Sequence, residues 1–176
     1  MGKMIEGRTF LGTWPRRLSG LFDVGVSFAD QRILDVGCNM GIVGYEVCKQ
    51  GPAYYHGVEL LETHCQIARS IFTAVPVESV FHDFDVTDAS VRNEVLSEDY
   101  DVVLYLAVHH HLVKKRGKAP AEETARDLFR RCRRSLIFRG DDFDAFAELA
   151  DAAGFEQGPV IKDPLLHPFC AYTRRP

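Results

Sequence analysis

Residues 32–41 read Arg-Ile-Leu-Asp-Val-Gly-Cys-Asn-Met-Gly. Ile33, Leu34 and Val36 make a short apolar run, and residues 42–50 behind them carry helical spacing until Gly51-Pro52 stops it. The stretch therefore reads strand, tight turn, helix, the opening unit of an α/β sheet. In such sheets ligands lie beyond the carboxyl ends of the strands, so the turn from Asp35 to Gly41 is the first candidate binding loop. Its glycines permit close backbone approach, and the helix behind offers N–H donors. No Gly-Lys-Ser/Thr follows, and the spacing of Gly37, Gly41 and Gly44 departs from the dinucleotide fingerprint. Asp35, two residues before Gly37, would repel a phosphate but suits a ligand ammonium group, which favours an amino-acid-like cofactor.

Working outward, strand-like runs at 54–60, 79–86, 100–108, 135–139, 159–163 and 169–174 alternate with helical patterns at 62–72, 88–96, 121–133 and 142–153, with Thr87 a candidate cap and 113–120 a loop. The run at 100–108 is apolar almost throughout, as a strand buried on both faces requires. This alternation predicts a single-domain, seven-stranded, mostly parallel, doubly wound sheet with helices on both faces and right-handed crossovers. The link at 163–168 is too short for a crossover helix, so the seventh strand should return antiparallel. Residues 1–30 are expected to form a cap or short helix beside the ligand mouth, and 31–176 the binding domain.

The chain has 176 residues, 46% apolar and 26% charged, enough for one full core. No run approaches the ~18 apolar residues of a membrane span, and the N-terminus lacks the apolar region of a secretion signal, so a soluble, cytoplasmic protein with no membrane partner is expected. Five scattered cysteines without a Cys-x-x-Cys pair read as reduced core thiols. The net charge of −4 conceals a basic stretch from Lys114 to Arg139, where ten cations face three acids. That face could draw an anionic substrate or simply be a solvated helix.

The remaining strand ends carry complementary chemistry. Glu59 closes the second strand, where a carboxylate can accept both hydroxyls of a ribose, and His82-Asp83-Phe84-Asp85 closes the third, offering an acid, a backbone N–H and a ring to an adenine. Which of the two aspartates would do so is left open by the sequence.

With these residues in hand, the chain resembles the class I S-adenosylmethionine-dependent methyltransferases. ILDVGCNMG looks like their first motif, GVELLETH their second, FHDFDV their third and YDVVLYLAVHHHL their fourth. The resemblance covers residues 32–175 and implies S-adenosylmethionine as cofactor and S-adenosylhomocysteine as product. It implies that Asp35, Gly37, Cys38, Asn39 and Gly41 line the methionine part, Glu59 and Leu60 the ribose, Asp83 and Phe84 the adenine, and Leu106 the sulfonium. Asn39 stands where the family more commonly has glycine.

The fourth strand lacks the Asn/Asp-Pro-Pro-Tyr/Phe tetrad used on planar amino groups, which turns the expectation toward an oxygen of a small anionic, sugar-like or glycan acceptor. Without an inserted lid, acceptor contacts must come from Trp14 and Arg17, from 113–120 with Lys114, Lys115 and Arg116, and from 165–168, or from a protein partner completing an open side. Consecutive histidines 109–111 point in different directions, which disfavours a metal, although Asp141 or Asp142 could join them. His109 or His110 is a candidate general base, with a structural role as the alternative. Two rival functions remain: an RNA-end or tRNA methyltransferase using the basic face, and a non-catalytic cofactor-binding subunit.

Overall fold

The structure is a computed structural model that describes residues 3–5, 8–10, 18, 20–96, 99–163 and 166–176. β1 (Lys3–Ile5) and β2 (Arg8–Phe10) form a separate antiparallel hairpin. In the main sheet β3 (Arg32–Val36), β4 (Tyr54–Glu59), β5 (Glu78–Asp83), β6 (Tyr100–Leu106) and β7 (Cys132–Arg139) run parallel, in the spatial order β5-β4-β3-β6-β7. The short strands β8 (Phe155–Gln157) and β9 (Ile161–Asp163) both pair antiparallel with β10 (Leu166–Arg174), which itself lies antiparallel to β7. The chain runs outward from β3 to β5 and then crosses to the other side of β3 at β6. The carboxyl ends of β3 and β6 therefore form the switch point where an open sheet binds its ligand.

Strand parity divides the core into two layers. Val103 and Tyr105 of β6, Leu136 and Phe138 of β7 and Tyr172 of β10 point to one face, under α3 (Ala89–Val95), α4 (His109–Arg116), α5 (Lys118–Arg131) and α6 (Phe143–Ala152). Val102, Leu104, Ile137 and Phe169 point to the other, packed with Val47 of α1 (Ile42–Cys48) and with Cys65, Ala68 and Phe72 of α2 (Glu62–Phe72). All five cysteines are free and buried, as their scatter predicts. Among the described residues no helix is long and apolar enough to cross a membrane.

Three local expectations change. The loop expected at 113–120 is helical: α4 and α5 meet at Gly117, whose φ of 92° breaks the run, and Pro120 sits in the first turn of α5, where no intrahelical N–H is needed. Lysine and arginine hid the helical period there. Asp88, not Thr87, caps α3, accepting from the N–H groups of Ser90 and Val91. The strand β8 was not anticipated, because a single buried Phe155 followed by exposed Glu156 and Gln157 gives no apolar alternation to read. Of the N-terminal segment, Leu18, Leu21 and Phe28 are buried in the α1–α2 side of the core. Trp14 and Arg17 lie outside the described residues.

Candidate functional site

A cleft of about 650 Å³ opens at the carboxyl ends of β3, β4, β6 and β7, within the ordinary range for small-molecule sites. Its first wall is the turn after β3. Gly37 has φ 76°, and a Cβ there would stand 2.4 Å from Val108 Cγ2, so only glycine fits. Asn39 also takes a left-handed conformation, with φ 52°. Asparagine tolerates this because its own Oδ1 accepts the Met40 N–H at 2.8 Å, stabilising the turn that glycine would allow by default. Gly41, with φ 75°, caps α1 but stays outside the cleft wall, where a Cβ would meet Ala68 and Phe72 rather than a ligand.

Glu59 organises the junction of the two motifs. Its Oε1 accepts the N–H groups of Leu60 (2.9 Å) and Leu61 (3.1 Å), and its Oε2 accepts the Asn39 N–H (2.9 Å). A carboxylate has about four lone-pair positions, so these bonds leave room for roughly one ligand hydroxyl on Oε2 rather than the two expected. The same side chain thus holds the β3 turn against the β4 turn and faces the cleft.

Beneath them Asp35 is buried and accepts the Tyr55 hydroxyl at 2.6 Å. Burial pushes its carboxyl up to about 7, the Tyr55 hydrogen bond working against the shift and Glu59 adding to it. A ligand ammonium would restore the ionised form by direct attraction. Burial likewise drives the Cys38 thiol far above its usual range, so this cleft residue is inert as a nucleophile.

At the end of β5 the geometry separates the two aspartates. Asp83 turns outward to Arg69, 2.9 Å away, and is absent from the cleft wall, whereas Phe84 and Asp85 line it. Asp85 accepts from Thr87 and from Arg116, and these bonds outweigh its partial burial and hold its carboxyl below the usual range. Exposed Leu60 and Leu61 supply an apolar ledge opposite.

The second wall comes from β6, α4, β7 and β10. Leu106 and Ala107 line it, Ala107 in a left-handed conformation tied by its N–H to the Arg139 carbonyl at 2.8 Å. The helical turn separates the histidines. His109 lies in the aromatic core against Phe138 and Phe146, with Nδ1 3.3 Å from the Tyr105 hydroxyl, and does not line the cleft. Burial lowers its pKa, against the pull of Asp142 and Glu122. His110 and His111 do line the cleft, as do Lys115, Arg139 and His167. Burial, helped by His111 and His167, also lowers His110 below its ordinary value. Arg116 is held by Asp85, and exposed Lys114 stays outside the wall.

Two side chains that line the cleft carry buried ring nitrogens without a hydrogen-bond partner among the described residues: Nδ1 of His64 and Nδ1 of His110. Such atoms call for a ligand or water. Together with the turn only glycine can make, the ammonium-seeking Asp35 and the apolar ledge, they fit an amino-acid-bearing nucleoside. His64 and Arg139 were missed by sequence reasoning, and His167 was reached only as part of the segment 165–168. For His64 the GVELLETH segment was the available signal. Among the described residues no group of three or more His, Cys, Asp or Glu could hold a metal ion.

Residues 34–141 match the family described as methyltransferase domain. A search of curated protein sequences returns no match. Among solved structures, the chain is similar to magnesium protoporphyrin IX methyltransferase from Synechocystis with bound S-adenosylmethionine, at TM-score 0.68 and 15% identity, covering 93% of this chain and 78% of that one. It is also similar to a TehB-like S-adenosylmethionine-dependent methyltransferase from Corynebacterium glutamicum, at TM-score 0.61 and 18% identity, covering 93% and 97%. At these identities the structures bear on the fold alone, while the family match spans more than half of the chain, including the first wall and the β6, α4 and β7 parts of the second. The chain belongs to the class I S-adenosylmethionine-dependent methyltransferases.

Proposed function

We propose that this methyltransferase acts on an oxygen of a small anionic or sugar-like acceptor. The observation that carries this reading is the composition of the second wall: His110, His111, Lys115, Arg139 and His167 converge on one side of the cleft. Arg139 is buried, stacked 4.7 Å over the Phe169 ring. A cation in that setting favours a carboxylate or phosphate on the incoming molecule.

On the cofactor side, Asp35 takes the ammonium, the turn Gly37-Cys38-Asn39 the methionine chain, Glu59 and Leu60 the ribose, and Phe84 and Asp85 the adenine. Asp83, paired with Arg69, is withdrawn from this set. Gly41 acts only through the turn it caps, and Leu106 borders the sulfonium. The donor supplies an electrophilic methyl whose leaving group is already in place, so the protein's main task is to align acceptor and methyl. Of the two histidines expected as base, His110 lines the cleft and is placed to face the acceptor, and His109 is reassigned to the core.

An RNA acceptor is less well supported. Arg126, Arg130, Arg131, Arg133 and Arg134 are each already engaged by Glu122, Asp127, Asp99 or Asp101, so these arginines are less available to phosphates. An RNA-binding face would show a steep fall in affinity with salt, and such a slope would favour RNA over the small acceptor. Turnover by the isolated chain would remove the reading of a non-catalytic subunit needing a protein partner.

The test is release of S-adenosylhomocysteine by the purified chain across acceptors that pair a hydroxyl with a carboxylate or phosphate. Arg139→Met should raise KM for an anionic acceptor about 10- to 100-fold, the loss of a charge-assisted hydrogen bond, with cofactor affinity unchanged. Activity confined to neutral acceptors would overturn the assignment.

A further inference from the structure

The antiparallel pairing of β10 with β7 brings together two residues that the sequence keeps 26 apart. Phe169 pairs with Arg139 in the register, and the Gly140 N–H reaches the Pro168 carbonyl at 3.2 Å. Continuing that ladder by two residues sets His167 across from Asp141. Their side chains meet there, His167 Nδ1 lying 2.5 Å from Asp141 Oδ1. The His167 ring also packs against His110, with centroids 5.0 Å apart, and it lines the cleft while Asp141 does not.

A carboxylate only accepts hydrogen bonds, so Asp141 fixes the proton on Nδ1 and leaves the lone pair on Nε2. A ring locked in one tautomer by an acid, at the rim of a ligand cleft, has the arrangement of a base and its orienting group. Neither residue belongs to the cofactor motifs. Both lie beyond the carboxyl end of β7, on the side of the cleft away from the cofactor motifs.

We propose that His167, oriented by Asp141, is the proton acceptor for a hydroxyl-bearing substrate, with Asp141 the positioning residue. This rests on the oxygen-acceptor reading above. As the hydroxyl oxygen forms its bond to the methyl carbon, the carbon–sulfur bond breaks with its electron pair remaining on sulfur, and the hydroxyl proton passes to His167 Nε2. The charge of the donor sulfonium is thereby balanced by the imidazolium formed.

Long-range proton–nitrogen correlation on histidine-labelled protein, with S-adenosylhomocysteine as the binding probe, tests this without an acceptor. Wild-type His167 should show the Nδ1–H tautomer, Asp141→Asn should lose that preference, and Asp141→Glu should recover it. Affinity for S-adenosylhomocysteine should stay within about twofold in all three. An Nε2–H tautomer in wild type, or no response to Asp141→Asn, overturns the dyad. On an acceptor hydroxyl methylated by wild type, His167→Ala should lower kcat by about 10²- to 10⁴-fold, typical for a lost general base. Unchanged kcat there also overturns the dyad. Failure of wild type to bind S-adenosylhomocysteine would instead break the underlying cofactor reading.

Discussion

The two walls of the cleft are built differently. The cofactor wall is made of short contiguous segments, each a strand end with its following turn: 35–39, 59–61 and 84–85. Its bonds are local or join neighbouring parallel strands, as when Glu59 clamps Asn39, Leu60 and Leu61. The acceptor wall draws single residues from α4, β7 and β10, and its key contact joins Asp141 to His167 across an antiparallel ladder. Contiguous motifs fix the first wall from sequence, while the second depends on packing and register. The methyl donor is therefore readable from the chain and the acceptor is not.

Substitutions should separate the walls. The largest effect is expected from Gly37→Ala, which combines a left-handed backbone with a Cβ 2.4 Å from Val108 Cγ2. Strain and overpacking together should cost about 2–5 kcal/mol, read as a lower urea midpoint and loss of measurable cofactor binding. Glu59→Gln comes next, because its amide cannot accept all three N–H groups. Affinity for S-adenosylhomocysteine should fall about 10- to 100-fold, and an unchanged affinity would detach Glu59 from the cofactor wall.

His109→Ala acts on the core behind the acceptor wall. Removal of a ring packed between Phe138 and Phe146 should cost about 1–3 kcal/mol of stability, with cofactor affinity unaltered. Asp35 gives the pH signature. In the folded protein it keeps its proton up to about 7, whereas in the unfolded chain it ionises near 3.8. Its influence on stability is therefore unfavourable as pH rises through that window, and Asp35→Asn should flatten the slope. Binding an ammonium requires the ionised form, so affinity should fall about tenfold per pH unit below that pKa. A pH-independent affinity would remove Asp35 from the site. Lys114→Ala, outside the wall, should leave both affinity and turnover within about twofold.

The alternation that predicts the parallel sheet was legible because five strands and their helices each carry a clear period, and parity then sorts Val103 from Val102 and Phe138 from Ile137. Asn39 was legible as a departure from glycine, though its compensation, an internal bond to the Met40 N–H, needed the backbone. The third motif misled by one pleat: alternation puts Asp83 and Asp85 on the same side in an extended strand, but the strand stops at Asp83 and the turn carries Asp85 into the cleft instead. His109 misled for a related reason, since three adjacent histidines on a helix diverge by about 100° per residue and only packing decides which one enters the core. The segment 165–168 was legible as an acceptor contact, but the meeting of its His167 with Asp141 was not, because nothing in a sequence states the register of an antiparallel return.

Calorimetric titration of the wild-type chain and of Glu59→Gln with S-adenosylhomocysteine reads the cofactor wall without knowledge of the acceptor. The expected result is one-to-one micromolar binding to wild type, weakened about 10- to 100-fold in the variant. Absence of wild-type binding at high micromolar ligand would contradict the account.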